Sequence, residues 1–400
     1  MVKPLKVIIA GAGIGGSAAA LALLRSGYDV EVYEQAPELG EVGAGVQISP
    51  NGSRALDHLG VFDSLKQVSC APERKEFRLW NSGHAWPMFD LGKGAVEKYG
   101  FPYLTVYRPD LLSTLVDAAR AIKPDVFHLD STVVGVDHDD SGAWLELASG
   151  ETVKGDMVLG ADGLKSAVRR ELWGVDVPKY AGMIAWRAVI PMEKLPEHMQ
   201  KMVGSTWIGP GAHAVNYPLR DGTLMNFVGT VERDDWREEG WNIEGSAEEC
   251  SGDFAGWHDD VHAMINAAPK LVKWAFGERE PMQKWTQGRT TLLGDACHPT
   301  LPFLAQGAVM SIEDGVVLAR ALDNHLHNGL EYALERYEQA RVERTSNMVR
   351  GARANTDRFH SAELETKERA EAYLNSEMGV DPLQERYHWL YCYDAAKVTI

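Results

Sequence analysis

The sequence predicts an α/β protein in which a domain built on a parallel sheet carries an inserted mixed, largely antiparallel sheet and is followed by C-terminal helices. Three observations favour this fold. Short apolar segments followed by glycine or an acidic residue recur along the chain, and a tryptophan-rich segment of alternating polarity separates the last two of them. The final part of the chain is rich in Arg and Glu at helical spacing, which indicates helices with solvated faces.

The strongest motif lies near the N-terminus. Apolar and β-branched residues fill Leu5–Ala10 and predict a buried parallel strand, which leads directly into Gly-x-Gly-x-x-Gly on Gly11, Gly13 and Gly16. A helix of small residues and a second strand follow, and Glu34 stands at the carboxyl end of that strand. In a dinucleotide-binding unit the glycines allow a tight turn, close approach to a pyrophosphate and close helix packing, and the acid binds a ribose. The motif therefore predicts a Rossmann-like unit that binds FAD or NAD.

Two further acidic residues follow apolar strands. Asp162 comes after Met157–Gly160, and Asp295 comes after Thr290–Leu293 with Gly294 between them. The carboxyl ends of parallel strands are where open α/β sheets bind their ligands. Three acids in such positions indicate a large, extended cofactor, which favours FAD over NAD alone.

The predicted boundaries give a Rossmann-like FAD-binding domain, a substrate domain and a C-terminal helical segment. The FAD-binding domain comprises 1–72, 105–178 and 286–325, the substrate domain comprises 73–104 and 179–285, and the helical segment comprises 326–400. The helical segment ends in aromatic residues that we expect to be buried, either against the body of the chain or against a partner in a homodimer: Tyr387, Trp389, Tyr391 and Tyr393.

One strand of the substrate domain carries two candidate site residues. Polar and apolar residues alternate over Gly211–Leu219, so His213, Val215 and Tyr217 share one face. Side-chain tips of His213 and Tyr217 could converge on a small ring. The alternative is a structural role for a hydrogen-bonded histidine within the sheet, and the sequence alone leaves both open.

Composition limits the partners. The formal net charge of −17 argues against nucleic acid and anionic membrane surfaces, and the apolar segments are too short to span a membrane. The four cysteines have no paired spacing that would suit a metal or a redox site, so we expect free thiols and a cytoplasmic location. Cys297 precedes a histidine, but without an activated-nucleophile arrangement we favour a packing role for it.

The three acid-bearing motifs together resemble the single-component FAD-dependent aromatic hydroxylases. The resemblance covers nearly the whole chain, and the segments Gly40–Gly45 and Gly294–Pro299 bring it closest to the group that acts on 3-hydroxybenzoate, salicylate or 6-hydroxynicotinate. It implies FAD as cofactor, NADH or NADPH as co-substrate, and O₂ activation through a flavin C4a-hydroperoxide. The implied function is hydroxylation of a small phenolic acid.

Site residues follow from the same resemblance. His213 and Tyr217 match a His-x-x-x-Tyr pattern over the substrate ring, with His213 as the base and Tyr217 orienting the substrate or relaying the proton. The resemblance implies cofactor contacts at Gly11, Gly13, Gly16, Glu34, Gln35, Gly45, Gln47, Arg108, Asp162, Asp295 and Ala308.

Some departures from the family pattern leave the substrate open. Gln47 stands where some relatives carry a histidine, and Pro302 stands where we expect a glutamine in the 3-hydroxybenzoate enzymes. A heteroaromatic or non-benzoate substrate is therefore the alternative, and a flavin-binding sensor without catalysis is a more distant one. From the sequence alone, Arg108 is equally an exposed cation or a cofactor ligand.

Overall fold

The computed structural model describes residues 4–40, 44–236, 243–377 and 380–400. Part of the glycine-rich segment, at 41–43, and Trp241 of the tryptophan-rich segment lie outside these ranges. Strand and helix bounds follow in chain order.

The strands are β1 (Lys6–Ala10), β2 (Asp29–Tyr33), β3 (Gly45–Ile48), β4 (Arg74–Leu79), β5 (Ala85–Asp90), β6 (Leu104–Tyr107), β7 (Phe127–His128), β8 (Val133–Asp139), β9 (Gly142–Leu147), β10 (Thr152–Gly155), β11 (Met157–Gly160), β12 (Lys179–Pro191), β13 (Val203–Gly209), β14 (Ala212–Leu219), β15 (Leu224–Glu232), β16 (Ile243–Gly245), β17 (Leu271–Glu278), β18 (Thr286–Gln287) and β19 (Thr290–Leu292). The helices are α1 (Ile14–Arg25), α2 (Pro50–His58), α3 (Phe62–Lys66), α4 (Lys93–Tyr99), α5 (Arg108–Ile122), α6 (Ala167–Trp173), α7 (Ala247–Asp253), α8 (Asp259–Ala267), α9 (Gly307–His325), α10 (Leu330–Phe359), α11 (Lys367–Glu377) and α12 (Val380–Tyr391).

The first sheet is the predicted Rossmann-like core. Its strand order is β18-β19-β11-β1-β2-β7, and all neighbours pair in parallel except the β18–β19 hairpin. Val7, Ile8 and Ile9 of the central strand are fully buried, which explains its continuous apolar sequence. Because β2, β11 and β19 run in the same direction, the acids that follow them come to one edge of this sheet.

The second sheet is mixed and largely antiparallel, as predicted. Its order is β16-β17-β12-β15-β14-β13-β4-β5, and only the β13–β4 pair is parallel. Residues 73–104 contribute β4 and β5 to it, and also helix α4, which the sequence did not indicate. Gly100 ends α4 with a left-handed backbone at φ 79°, a conformation that glycine adopts without strain.

The C-terminal helices pack on the body of the chain. Tyr387 and Tyr391 are 5% exposed each and make edge contacts with Phe89, at ring-centroid distances of 4.9 and 6.2 Å. The expected burial within the same chain is observed for Tyr387 and Tyr391, but Trp389 is 40% exposed, so the expectation is wrong for that residue. No helix in the described ranges combines the length and apolarity needed to cross a membrane.

Candidate active site

A cavity of about 370 Å³ lies where the carboxyl edge of the parallel sheet meets the inserted sheet. Elements from both sheets and from the start of α9 form its wall. Its lining comprises Gly13, Ile14, Gly15, Gly45, Val46, Gln47, Arg108, Ala161, Gly163, Tyr217, Leu293, Gly294, Asp295, Thr300, Pro302, Ala305, Gly307, Ala308 and Ser311.

The three glycines of the first motif have different surroundings. Gly11 has φ 96°, and a Cβ on Gly16 would lie 2.0 Å from the Gly11 carbonyl oxygen, so both positions are closed to a side chain. A Cβ on Gly13 would meet nothing within 4 Å. Gly13 also precedes the first turn of α1, whose backbone N–H groups have no side-chain cap. The open space at Gly13 and the uncapped N–H groups fit a pyrophosphate.

The acids at the ends of β2 and β11 are held by backbone N–H groups. Glu34 accepts hydrogen bonds from Ala12 N at 2.8 Å and Ala36 N at 2.9 Å, which fixes its carboxylate at the sheet edge, and Gln35 beside it is exposed. Asp162 Oδ2 accepts from Ala167 N at 2.7 Å, whereas its buried Oδ1 has no partner within the described part of the chain. Burial raises the pKa of Asp162, and its hydrogen bonds oppose that rise.

Arg108 and Asp295 contribute a basic and an acidic side chain to the cavity wall. Arg108 begins α5, and its backbone N donates to the carbonyl of Ala44 at 2.8 Å. Burial raises the pKa of Asp295, and the charges of His298 and Arg108 oppose the rise. Arg108 thus lies in the cavity wall, where it can meet a ligand. The site offers hydrogen-bond donors and acceptors that fit FAD. They are the glycine backbone, the acids at the sheet edge, Arg108 and the Asp162 oxygen that has no partner among the described residues.

The remaining wall faces the inserted sheet and consists of side chains. A Cβ on Gly45 would lie 2.5 Å from Tyr217 Cε2, so Tyr217 packs directly on the β3 backbone. Gln47 Oε1 accepts from Tyr103 Oη at 2.7 Å and from Lys75 Nζ at 3.4 Å. Burial raises the pKa of Tyr217, which keeps its hydroxyl protonated as a hydrogen-bond donor. Sequence reasoning missed Tyr103 and Lys75, because only the folded structure brings these distant residues into contact with Gln47.

His213 shares a sheet face with Tyr217 but is buried and is not among the residues that line the cavity. Its ring makes an edge contact with Phe303 at 4.7 Å between centroids, and its Nδ1 lies 2.6 Å from His360 Nε2. His360 Nδ1 in turn lies 2.7 Å from Glu232 Oε1, and the Glu232 side chain is 53% exposed. Burial, together with the neighbouring His360, lowers the pKa of His213 well below its ordinary value. The structure therefore joins His213 to the surface through two residues that the sequence did not single out.

A network of buried charges supports the cavity from the side of α9. Arg341 binds Glu313 at 2.9 Å and Asp314 at 2.7 Å, and all three side chains are fully buried. Asp314 Oδ2 also lies 2.7 Å from His298 Nε2 and accepts from Gly294 N at 3.1 Å, next to Asp295 in the wall. The prediction that the charged residues of the C-terminal helices form solvated faces is therefore wrong for Arg341. Arg341 is buried because Glu313 and Asp314, which are buried on α9, bind its guanidinium group.

Cys297 has the surroundings of a packing residue, as expected. It belongs to the buried core of the parallel-sheet domain, and burial raises the pKa of its thiol well above the ordinary value. A thiol that stays protonated at neutral pH is a poor nucleophile.

Comparisons with known proteins agree with this architecture. The family model described as FAD binding domain matches residues 4–352. A 6-hydroxynicotinate 3-monooxygenase from Pseudomonas fluorescens is 37% identical over 353 residues, which is 88% of this chain and 91% of that protein. A 3-hydroxybenzoate 6-hydroxylase from Polaromonas naphthalenivorans (strain CJ2) is 35% identical over 388 residues and covers 96% of both chains. The crystal structure of Klebsiella pneumoniae HpxO complexed with FAD and uric acid superposes with a TM-score of 0.83 at 27% identity, and covers 97% of this chain and 96% of that one.

Proposed function

This chain belongs to the FAD-binding domain family and is an FAD-dependent aromatic monooxygenase, and from this premise we propose that it hydroxylates a small phenolic aromatic acid of the 3-hydroxybenzoate or salicylate type. NADH or NADPH is the reductant in this proposal and O₂ supplies the oxygen atom. The observation that carries the proposal is that Tyr217 lines the cavity while a buried, neutral His213 lies on the same strand and the same sheet face.

The cofactor-binding residues have separate tasks in this proposal. Gly13 and the N-terminus of α1 bind the pyrophosphate, Glu34 binds the adenosine ribose, and Arg108 and Asp295 bind the middle of FAD. Gln47 and Ala308 would hold the flavin ring. Bound FAD would supply the chemistry of oxygen transfer from O₂ to an electron-rich ring.

Proton removal activates the substrate. A phenolate is a far better nucleophile than a phenol, so a base at the ring hydroxyl accelerates oxygen transfer. His213 is neutral at neutral pH because its pKa is lowered, and its Nε2 makes no hydrogen bond among the described residues. In this proposal the Tyr217 hydroxyl, which lines the cavity, orients the substrate oxygen and relays its proton to His213.

A buried imidazole with a lowered pKa does not retain that proton. The 2.6 and 2.7 Å contacts from His213 through His360 to Glu232 offer the proton a path to an exposed carboxylate. Each ring can take a proton on one nitrogen and release one from the other, so transfer along the path needs no movement of the histidines.

A heteroaromatic hydroxy acid is the second candidate. The relative with 37% identity bears the name 6-hydroxynicotinate 3-monooxygenase. Pro302 of the cavity wall stands where the resemblance implies a glutamine in the 3-hydroxybenzoate enzymes, which favours the salicylate and 6-hydroxynicotinate types. A pyridine ring with a hydroxyl and a carboxylate presents the same groups to Tyr217 and His213.

The test is oxidation of NADH and of NADPH together with O₂ uptake by the FAD-loaded protein. The panel is 3-hydroxybenzoate, salicylate, 6-hydroxynicotinate and their parents without a ring hydroxyl, with catalase added to report H₂O₂. We expect one hydroxylated acid to stimulate oxidation strongly with little H₂O₂. Stimulation by none of them, or only with stoichiometric H₂O₂, would contradict the proposal.

A further inference from the structure

A lysine next to the cavity wall has no acidic partner within the described part of the chain. Lys75 on β4 is partly buried, and within the described ranges its ammonium has one hydrogen bond, to Gln47 Oε1 at 3.4 Å, and no ion pair. Burial lowers the pKa of Lys75 to about 8. Buried ammonium groups in folded proteins are normally paired, because removing a charge from water is costly. An ammonium that reaches Gln47 of the cavity wall and has no carboxylate partner among the described residues is suited to a ligand that supplies the negative charge.

The strand register brings Lys75 to the same face of the sheet as Tyr217. Lys75 pairs with Gly204 of β13, and Gly204 has no side chain to separate the two. A Cβ built on Gly204 would lie 3.8 Å from Tyr217 Cβ and 3.9 Å from Lys75 Cγ. The lysine stem therefore runs along the sheet beside Tyr217, and its ammonium reaches Gln47 in the cavity wall.

A second polar group on this face also lacks a partner. Asn226 lies opposite Tyr217 on β15, and its Oδ1 accepts from Gly45 N at 2.7 Å. Its fully buried Nδ2 has no hydrogen-bond partner among the described residues. Two donors that flank Tyr217, one charged and one neutral, are complementary to an oxygen-rich anionic ligand.

Resting on the proposed function, we infer that Lys75 forms the anion subsite of the enzyme and binds the carboxylate of the aromatic acid. The carboxylate site at Lys75 is distinct from the site of phenol deprotonation, because His213 lies farther along the strand than Tyr217. His213 and Tyr217 are four residues apart on β14, which places their Cα atoms roughly 13 Å apart along the strand. Lys75 belongs to the row of Tyr217, so the carboxylate binds at the Tyr217 end of the strand.

The test compares an acid with its own amide. FAD-loaded wild type, Lys75→Met and Lys75→Arg are titrated with 3-hydroxybenzoate and 3-hydroxybenzamide, and with salicylate and salicylamide, with the flavin absorption spectrum as the readout of binding. Lys201→Met is the matched control, because this exposed lysine lies just before β13, the strand that neighbours β4.

We expect Lys75→Met to weaken binding of the acid by about 10- to 100-fold, the range for loss of a charged hydrogen bond, and to change binding of the amide by less than about threefold. Lys75→Arg keeps most of the affinity for the acid, and Lys201→Met leaves both affinities unchanged. Equal losses for acid and amide, or no loss for the acid, would overturn the inference.

The two proposals fail in different ways. If wild type neither binds nor hydroxylates any acid of the panel, the proposed function fails. If wild type hydroxylates an acid that Lys75→Met binds equally well, only the anion subsite fails. If Lys75→Met does not retain FAD, Lys75→Gln replaces it in the same comparison.

Discussion

The two walls of the cavity are built from different materials. The cofactor wall is largely backbone, at Gly13–Gly15 and Gly294, together with the side chains of Arg108 and Asp295. The buried charges that support it from α9 are paired, as in the contacts of Arg341 with Glu313 and Asp314. The substrate wall consists of side chains from separate strands, and the cation next to it, Lys75, has no acidic partner in the described part of the chain. In this contrast the ion pairs of Arg341 support the fold, whereas the inferred role of Lys75 is to bind a ligand. The predictions below test this contrast, from the largest expected effect to the smallest.

Removal of the central cation of the network should have the largest effect. Arg341→Met leaves the carboxylates of Glu313 and Asp314 buried, and we expect a loss of about 3–5 kcal/mol in the free energy of unfolding. Urea unfolding of the FAD-free protein measures it. A matched control is Arg350→Met on the exposed face of the same helix, which should change the free energy by less than about 0.5 kcal/mol. If both variants were equally stable, Arg341 would support the fold no more than an exposed arginine does, which would contradict the contrast between paired and unpaired charge.

The glycines of the cofactor wall should separate folding from cofactor binding. A Cβ on Gly16 would lie 2.0 Å from a backbone oxygen, so Gly16→Ala should cost about 1–3 kcal/mol of stability or more. Gly13→Ala places its methyl group in open space and should leave the FAD-free protein stable while weakening FAD binding. Thermal unfolding without FAD and titration with FAD distinguish the two. Weakened folding in Gly13→Ala would contradict the assignment of that space to the cofactor.

The buried histidines should make stability depend on pH between 7 and 5. The pKa values of His213 and His360 are lowered in the folded protein, so the unfolded state takes up protons first as the pH falls through about 6.5. The free energy of unfolding should therefore decrease as the pH falls, by about 1–2 kcal/mol per histidine at pH 5. The lowered carboxyl pKa values of the network act only below about pH 4.5. His213→Gln should flatten the slope, and an unchanged slope would contradict the burial argument.

Neutralisation of Lys75 should have the smallest effect on stability. Since no carboxylate in the described ranges pairs with it, Lys75→Met should leave the free energy of unfolding unchanged or raise it slightly. Chemical unfolding beside Arg341→Met gives the direct comparison. A loss of several kcal/mol on Lys75→Met would show that this cation supports the fold in the same way as Arg341.

The contrast also explains what the sequence could predict. The cofactor wall could be predicted because one continuous segment, Gly11–Gly16, contributes its backbone. The acids Glu34 and Asp295 could be predicted because each follows an apolar strand. Alternation places His213 and Tyr217 on one face, but it cannot reveal that only Tyr217 of the two lines the cavity.

The rest depends on contacts between distant segments. Lys75 reaches Tyr217 only through the parallel pairing of β4 with β13, and Arg341 is buried only because acids on α9 face it. His360 joins His213 from the end of α10, 147 residues away. Charged residues at helical spacing look the same in sequence whether water or buried carboxylates surround them, so local patterns could not have predicted these contacts.

The most direct test of the central claim, hydroxylation of an aromatic ring with oxygen from O₂, is turnover under ¹⁸O₂. The acid that stimulates NADH or NADPH oxidation most is incubated with the FAD-loaded enzyme, and the product is analysed by mass spectrometry. The account predicts a ring-hydroxylated product that carries one ¹⁸O atom. Formation of H₂O₂ without a hydroxylated product, or a product whose new oxygen comes from water, would contradict it.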